Sequence, residues 1–336
     1  MELKEIIATL SNSVCIGHID ETVKIAEQML GDFCEIKRLY GNSLAAFIKG
    51  ECDYTIAVEA HTDEIGFIVT AVENGFLKVS TAGGFDIRTL PSHRVIVHGK
   101  EDVPAVFTSI PPHLSKGEEE FDDIKKLSLD TGLYDTAKDI IRPGDLVTYG
   151  QTFSSLKGSR VTGKALDDRA GVAALIYLAQ MLKDEKPPVN VCILLCNAEE
   201  IGTRGAKTAA FETSFDEAVA VDVSFAAFPG IAPEECGTLG KGAMIGQSPV
   251  LSREVVKALI SAAEQDSISY QLETMGGRTS TDADVISITK SGIPTGLVSI
   301  PLRNMHTDAE VVDVCDVEST AKLLYSYIMS GGTRNA

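Results

Sequence analysis

Two adjacent aspartates, Asp167 and Asp168, stand at the start of a helical pattern and follow a segment that contains Gly158 and Gly163. Adjacent carboxylates that are shielded from water need a cationic partner, and a divalent metal is the strongest one available. An aspartate at the start of a helix is also well explained as an N-cap. The pair alone leaves both readings open, and a metal site would need further ligands from the rest of the chain.

Polar side chains follow the apolar, strand-like segments elsewhere in the sequence. In open α/β sheets, functional residues gather where the strands end, because neighbouring parallel strands end at the same edge. Histidine and carboxylate side chains together are the ligands favoured by zinc, cobalt or manganese. Each such residue alone also has an ordinary explanation as a turn or cap, but five at equivalent strand ends favour a metal centre. These residues are His61, Glu199, Glu200, Asp222 and His306.

The number of candidate ligands fits a pair of metals. Two metals that lie about 3.5–4 Å apart share one bridging carboxylate, and each takes further ligands of its own. An arrangement with Asp167 as the bridge, His61 and Asp222 on one metal, and Glu200 and His306 on the other would satisfy this count. This arrangement uses one Asp of the adjacent pair and leaves Glu199 free.

Two further carboxylates have supporting roles in this interpretation. Asp63 follows His61 in a His-x-Asp pattern, and a carboxylate in that position commonly orients a metal-binding imidazole. Glu199 and Glu200 would point in opposite directions on an extended segment. A sharp turn would instead direct Glu200 at a metal and Glu199 at the water that the metal activates, as a general base.

Hydrophobic periodicity indicates the elements that must position these residues. Helical patterns begin near Leu3, Asp20, Asp168, Ser252 and Thr281, and a last one is expected to be capped by Asp316. Apolar strand-like runs alternate with these helices in residues 1–66 and 158–336. Such alternation favours an α/β fold built around a mostly parallel sheet. We expect these two ranges to form one discontinuous catalytic domain.

The intervening residues 67–157 have a different pattern. They contain short, β-branched segments separated by Gly, Pro, Asn or Asp, and no long helical pattern interrupts them. Ser115–Asp123 (SKGEEEFDD) reads as an acidic, solvated loop. We therefore predict a small all-β domain inserted into the larger one.

Length, charge and cysteine usage limit the function classes. A chain of 336 residues favours two domains. Its 48 acidic and 30 basic residues give a net charge of −18, which disfavours a nucleic-acid partner. We identify no signal peptide and no apolar stretch of the roughly 18 residues that a membrane span needs. The seven cysteines show no CxxC pair, so we expect reduced thiols and a cytoplasmic location.

Several separated motifs together resemble one family. In the predicted catalytic domain these motifs are HTDEIG (61–66), GKALDDRAG (163–171), EEIGTRGA (199–206), DVS (222–224) and RNMH (303–306). With them, the chain resembles the dinuclear-metal aminopeptidases of metallopeptidase family forty-two, which include the tetrahedral (TET), glutamyl and deblocking aminopeptidases. The resemblance covers nearly the whole chain, including GGFDIRTLP (83–91) and PPHLSKGEEE (111–120) within the predicted β domain.

The resemblance implies an α/β/α sandwich of the zinc-peptidase type, with an inserted small β-barrel used for assembly. It implies two divalent metal ions per subunit (Zn, Co or Mn) and self-association between dimer and dodecamer. It also implies a cis peptide bond between Asp167 and Asp168. The ligand and base roles implied for the matching positions agree with those assigned above from the residues.

The substrate pocket is where the chain departs from its family. Many relatives have DVT followed by a second Asp before Pro-Gly, whereas this chain reads DVSFAAFPG with no acid in between. The loop from Gly276 to Asp282 lies where relatives line the specificity pocket. We assign Arg278 and Asp282 to substrate binding on this basis. Arg278 would favour acidic N-terminal residues, unless it is simply a solvent-exposed arginine.

We expect a metalloaminopeptidase that hydrolyses N-terminal residues from short peptides, with a two-metal-activated water and Glu199 as base. A glycosidase needs two carboxylates about 5–9.5 Å apart across a sugar bond. Adjacent glutamates beside histidine ligands fit that poorly, and the chain has no Trp to stack on sugars. A non-enzymatic scaffold would be expected to lack a ligand or the base, and none is missing. A carboxypeptidase or deacylase with the same fold stays open.

Overall fold

A computed structural model describes residues 1–111, 113–114 and 123–335. The predicted acidic loop therefore lies outside the described residues except for Asp123. The helices are α1 (Leu3–Asn12), α2 (Glu21–Leu30), α3 (Ala137–Ile140), α4 (Leu166–Leu182), α5 (Arg204–Glu212), α6 (Arg253–Gln265), α7 (Ala283–Ile286) and α8 (Val314–Met329). Among the described residues, no helix is both long and apolar enough to cross a bilayer.

Nineteen strands are assigned in the same residues. They are β1 (Cys15–Ile16), β2 (Ile19–Asp20), β3 (Glu35–Arg38), β4 (Leu44–Ile48), β5 (Thr55–His61), β6 (Gly66–Glu73), β7 (Phe76–Ala82), β8 (Arg94–His98), β9 (Asp102–Phe107), β10 (Leu129–Asp130), β11 (Leu146–Tyr149), β12 (Ser154–Ser155), β13 (Arg160–Gly163), β14 (Asn190–Cys196), β15 (Glu217–Phe225), β16 (Ala243–Gln247), β17 (Tyr270–Thr274), β18 (Thr295–Arg303) and β19 (Glu310–Asp313).

The large sheet has eleven strands and is mixed. Nine strands follow the order β12-β13-β19-β18-β15-β5-β14-β4-β3, while β16 pairs with β17 and β18. The four central strands β18, β15, β5 and β14 are parallel, as is the β16–β17 pair, whereas the outer strands pair antiparallel. The mixed α/β architecture is confirmed, but the prediction of a mostly parallel sheet is wrong outside the centre. The pairs β3–β4, β12–β13 and β18–β19 are each joined by a short connection, which allows antiparallel pairing without a crossover helix.

Helices cover both faces of this sheet, because the side chains of its central strands alternate between two cores. On β14, Val191, Ile193 and Leu195 join the larger core, which includes side chains of α1, α2, α4, α6 and α8. Cys192 and Leu194 face the opposite core with side chains of α5 and α7. Period-two alternation is what a strand buried on both faces requires.

The strands β6 to β11 close into a barrel in the order β10-β7-β6-β11-β8-β9. Its interior is a separate apolar cluster, in which the Phe67 ring stacks on Phe85 and meets Phe107 edge-on. The first barrel strand begins at Gly66, and β12, inside the predicted insertion, pairs with β13 of the large sheet. The division of the chain into two domains at residues 67 and 157 stays a prediction.

The caps of two late helices can be compared with their predictions. Ser252 caps α6, since its hydroxyl accepts the N–H of Val255. The prediction that Asp316 caps α8 is wrong: the helix begins at Val314, and Asp313 accepts the N–H of Cys315. Asp316 is instead buried, and its two oxygens accept the N–H groups of Gly240 and Gly242.

Candidate active site

A cleft opens where two central strands separate. The β5–β15 pairing ends at Glu59 and Ala220, whereas β5 stays paired with β14 as far as His61 and β15 stays paired with β18 as far as Phe225. The resulting cleft has a volume of about 1530 Å³. Asp222 therefore lies within β15, and the prediction that its strand ends there is wrong, because β18 continues to pair with β15 beyond it.

All five predicted ligands line this cleft, with Asp167 between the two histidines. Its Oδ1 lies 3.0 Å from His61 Nε2, and its Oδ2 lies 3.4 Å from His306 Nε2. His306 Nε2 is also 3.4 Å from Glu200 Oε1, and His61 Nε2 is 4.0 Å from Asp222 Oδ1. The Nε2 atom of each histidine thus faces Asp167 and one further carboxylate.

The two adjacent aspartates at the start of α4 make different contacts. The peptide bond between Asp167 and Asp168 is cis, as the resemblance implied. Asp168 Oδ1 accepts the N–H of Gly171, so Asp168 caps the regular part of the helix. Its Oδ2 is buried and has no hydrogen-bond partner among the described residues. Asp168 also lies close enough to His61 and Asp222 to form a three-ligand group with them. The helix-cap reading therefore applies to Asp168, and Asp167 faces the histidines.

Asp63 contacts both the histidine and the glutamate pair. Its Oδ1 lies 3.5 Å from His61 Nδ1, and its two oxygens accept the N–H groups of Glu199 and Glu200 at 3.0 and 3.2 Å. Ala198, just before the pair, has a left-handed backbone with φ of 66°. This residue makes the sharp turn that brings both glutamates to the cleft.

Sequence reasoning missed Glu310, which is buried beside the ligands. Its oxygens accept the N–H of Asp167 at 3.1 Å and that of His306 at 2.8 Å. The only available signal was a glutamate four residues after a candidate ligand, a spacing with no meaning until β19 is placed. Gly84 of the barrel was also unassigned, and a side chain there would meet the His306 ring.

A buried ionic network behind the ligands was missed as well. Lys164 Nζ lies 2.6 Å from Glu64 Oε2 and donates to the carbonyl of Ser13. Arg169 contacts Glu64 at 3.5 Å and donates to the carbonyl of Thr62. The network ties the segment after His61 to the segment that carries Asp167.

The buried histidines and carboxylates of the site shift one another's pKa values. Burial lowers the pKa of His306, but contacts with Asp167 and Glu200 outweigh burial and raise it to about 11. Burial alone would lower the pKa of His61 and raise that of Asp167. Their mutual contact acts in the opposite sense and helps to raise the pKa of His61 and to lower that of Asp167. Burial raises the pKa of Glu199 to about 8. Because metal ligands must give up their protons, metal binding here would release protons.

The two predicted substrate-binding residues lie in different places. Arg278 is exposed and lines the cleft. Asp282 is buried and lies with Glu59 and Cys196 in a group whose potential ligand atoms are within 4.8 Å of one another. Asp282 is not among the described residues that line the cleft. Its part in substrate binding, like that of Arg278, stays a prediction.

Comparisons with known proteins point to one peptidase family. The family profile described as M42 glutamyl aminopeptidase matches residues 41–323. A lysyl aminopeptidase of Pyrococcus furiosus is 31% identical over 92% of this chain and 90% of its own.

Two solved structures share the fold. The aminopeptidase APDkam598 of the archaeon Desulfurococcus kamchatkensis has a TM-score of 0.92 and 30% identity, covering 98% of this chain and 95% of its own. The TET1 peptidase of Pyrococcus horikoshii, which can assemble into a tetrahedron or a large octahedral shell, has a TM-score of 0.86 and 29% identity, covering 97% and 99% of the two chains. The family profile spans most of the sequence, and the chain therefore belongs to the M42 aminopeptidase family of peptide-bond hydrolases.

Proposed function

We propose that this chain removes N-terminal residues from short peptides, using two divalent metal ions and Glu199 as general base. The observation that carries the proposal is the position of Asp167 between His61 and His306. Each histidine meets a different Asp167 oxygen, at 3.0 and 3.4 Å. A carboxylate that presents one oxygen to each of two histidines has the arrangement of a bridging ligand.

The donor set suits transition metals. Two imidazoles and several carboxylates converge in a largely buried group, where their mutual repulsion would be relieved by cations. Zinc, cobalt and manganese all accept such nitrogen and oxygen ligands. His61 and Asp222 would hold one metal, Glu200 and His306 the other, with Asp167 shared. When bound, the metals supply Lewis acidity that polarises the scissile carbonyl and acidifies water.

Glu199 carries out the proton transfers. Its carboxylate lines the same cleft as the proposed metal ligands, which is where a general base must lie. It takes the proton from the attacking water and gives it to the leaving amine. Asp63 holds the Glu199 and Glu200 N–H groups and fixes the turn that aims both side chains.

Arg278 and the 276–282 loop are the parts of the chain that we assign to substrate binding. Arg278 would meet an acidic side chain or a terminal carboxylate of a short peptide, since it is exposed in the same cleft. Asp282 would fix the end of the 276–282 loop, because it directly precedes α7 and its side chain is buried.

We further propose that residues 67–157 form an inserted barrel domain that serves self-association. The closed barrel and its separate apolar core support this view. So does the assembly of the similar TET1 peptidase into closed shells.

The seven cysteines carry free thiols, which suits a cytoplasmic enzyme.

The test replaces Glu199 by Gln, which keeps the shape of the side chain and removes the proton acceptor. Loss of a general base costs about 10²–10⁴-fold in rate. We expect that loss with amino-acyl anilides, while metal content measured by mass spectrometry stays at the wild-type level. The exposed Glu212→Gln serves as the matched control and should keep full activity. The proposal would be overturned if Glu199→Gln hydrolysed the anilides at the wild-type rate. It would also be overturned if the wild-type protein hydrolysed N-acetylated anilides as fast as those with a free amine.

A further inference from the structure

Glu310 connects two candidate ligands through their backbones. Its side chain is 2% exposed, and it accepts one hydrogen bond through each carboxylate oxygen. Oε2 accepts the N–H of Asp167 at 3.1 Å, and Oε1 accepts the N–H of His306 at 2.8 Å. The two ligands are far apart in sequence, so this single carboxylate ties together two loops.

Strand pairing explains why Glu310 lies between the loops. It is the first residue of β19, which pairs antiparallel with β13 so that Glu310 is opposite Gly163. The chain leaves β13 after Gly163 and reaches Asp167 four residues later. On its other side β19 pairs with β18, and the connection between those strands carries His306. The register of β19 therefore sets the position of both ligand loops.

Both loops have backbones that need external support. His306 has φ of 63°, and Ala165, two residues before Asp167, has φ of 52°. Non-glycine residues rarely adopt this left-handed conformation unless their surroundings hold it. A half-buried N–H in such a turn also needs an acceptor. Glu310 supplies that acceptor for His306 and for Asp167.

We infer that Glu310 is a positioning residue, which fixes the separation between Asp167 and His306 and so sets the geometry of the metal site they share. The inference rests on the proposed function, because it takes these two residues as metal ligands. Residues that orient ligands typically change metal affinity by about 10–100-fold when they are substituted. Glu310 acts through the backbone and needs no contact with metal or substrate.

Two substitutions separate this role from mere packing. Glu310→Gln keeps the size, but its amide offers one oxygen and one NH₂ donor, so one backbone N–H faces another donor. Glu310→Asp keeps both acceptor oxygens but is one methylene shorter, so it cannot reach both loops in their present positions. Both variants should therefore lose affinity at the shared site.

Asp316→Asn provides a matched control. Asp316 is fully buried and also accepts two backbone N–H groups, from Gly240 and Gly242 at 2.7 and 2.8 Å. It caps no ligand loop. The same change from carboxylate to amide should lower thermal stability there and leave metal affinity unchanged.

The experiment titrates the metal-free full-length protein with Co²⁺ and follows its visible absorption. We expect Glu310→Gln and Glu310→Asp to weaken one Co²⁺ step about 10–100-fold relative to wild type. Saturating Co²⁺ should largely restore kcat, with KM for an amino-acyl anilide unchanged. The thermal midpoint of the metal-free variants is compared with that of metal-free Asp316→Asn.

Each outcome is decisive. A selective loss of Co²⁺ affinity in the Glu310 variants, absent from Asp316→Asn, supports the positioning role. Unchanged Co²⁺ affinity in folded Glu310 variants, or an equal loss in Asp316→Asn, overturns it and leaves the proposed function standing. Wild-type protein that binds no Co²⁺ at all would instead defeat the proposed function.

Discussion

Gly84, which follows strand β7 of the barrel, lies close to the ring of the candidate ligand His306. A β-carbon at this position would lie 3.1 Å from His306 Nδ1 and 3.3 Å from its Cε1. Ordinary van der Waals contacts are about 3.5–4.0 Å, so Gly84→Ala must move the His306 ring by a few tenths of an ångström. Metal–ligand distances tolerate about 0.2 Å. The displacement is therefore comparable to the tolerance of the site.

We predict that Gly84→Ala weakens metal binding at the His306 side of the site by about tenfold, near the lower end of the range for residues that orient ligands. Isothermal titration of metal-free protein with Zn²⁺ measures the change. Gly150→Ala is the matched control, because the nearest atom to its β-carbon is 4.0 Å away. Zn²⁺ affinity of Gly84→Ala equal to that of Gly150→Ala would refute the placement of His306 against Gly84.

Two other substitutions test the supports around the site. In Gly205→Ala the new β-carbon would lie 2.0 Å from the Asn197 carbonyl oxygen. Because backbone atoms cannot move aside easily, we expect about 3 kcal/mol of destabilisation in urea unfolding, at the upper end of the usual range for overpacking. A value below about 1 kcal/mol would contradict the close approach. Lys164→Met leaves the buried Glu64 carboxylate without its 2.6 Å partner. Because breaking a buried ion pair costs about 3–5 kcal/mol, we expect a loss of that size in the same assay. A variant as stable as wild type would show that Arg169 compensates fully.

Much of the site could be predicted because its ligands follow apolar runs that are easy to recognise. His61 ends β5 and the Glu199–Glu200 pair follows β14, and both strands are mostly apolar. Asp222 lines the cleft with the other predicted ligands, but not because its strand ends there, since β15 continues to Phe225. Sequence hydrophobicity shows where a strand becomes polar, whereas its length depends on which neighbour continues to pair with it.

The supports of the site could not be predicted in the same way. Glu310 acquires its role from the register of the short, four-residue strand β19, and such strands carry little periodic signal. Gly84 lies in the chain far from His306, and their contact depends on how the barrel sits against the large sheet. The antiparallel outer strands have the same origin, because β3 and β13 each span four residues and their short sequences do not show how they pair.

The central claim is that Asp167 bridges two metals, and the positions of the metals test it directly. Crystals of the full-length protein grown with Zn²⁺ would be measured at the zinc absorption edge. The account predicts two anomalous peaks about 3.5–4 Å apart on either side of Asp167, one beside His61 and Asp222 and the other beside Glu200 and His306. A single peak, or peaks that do not contact Asp167, would contradict it.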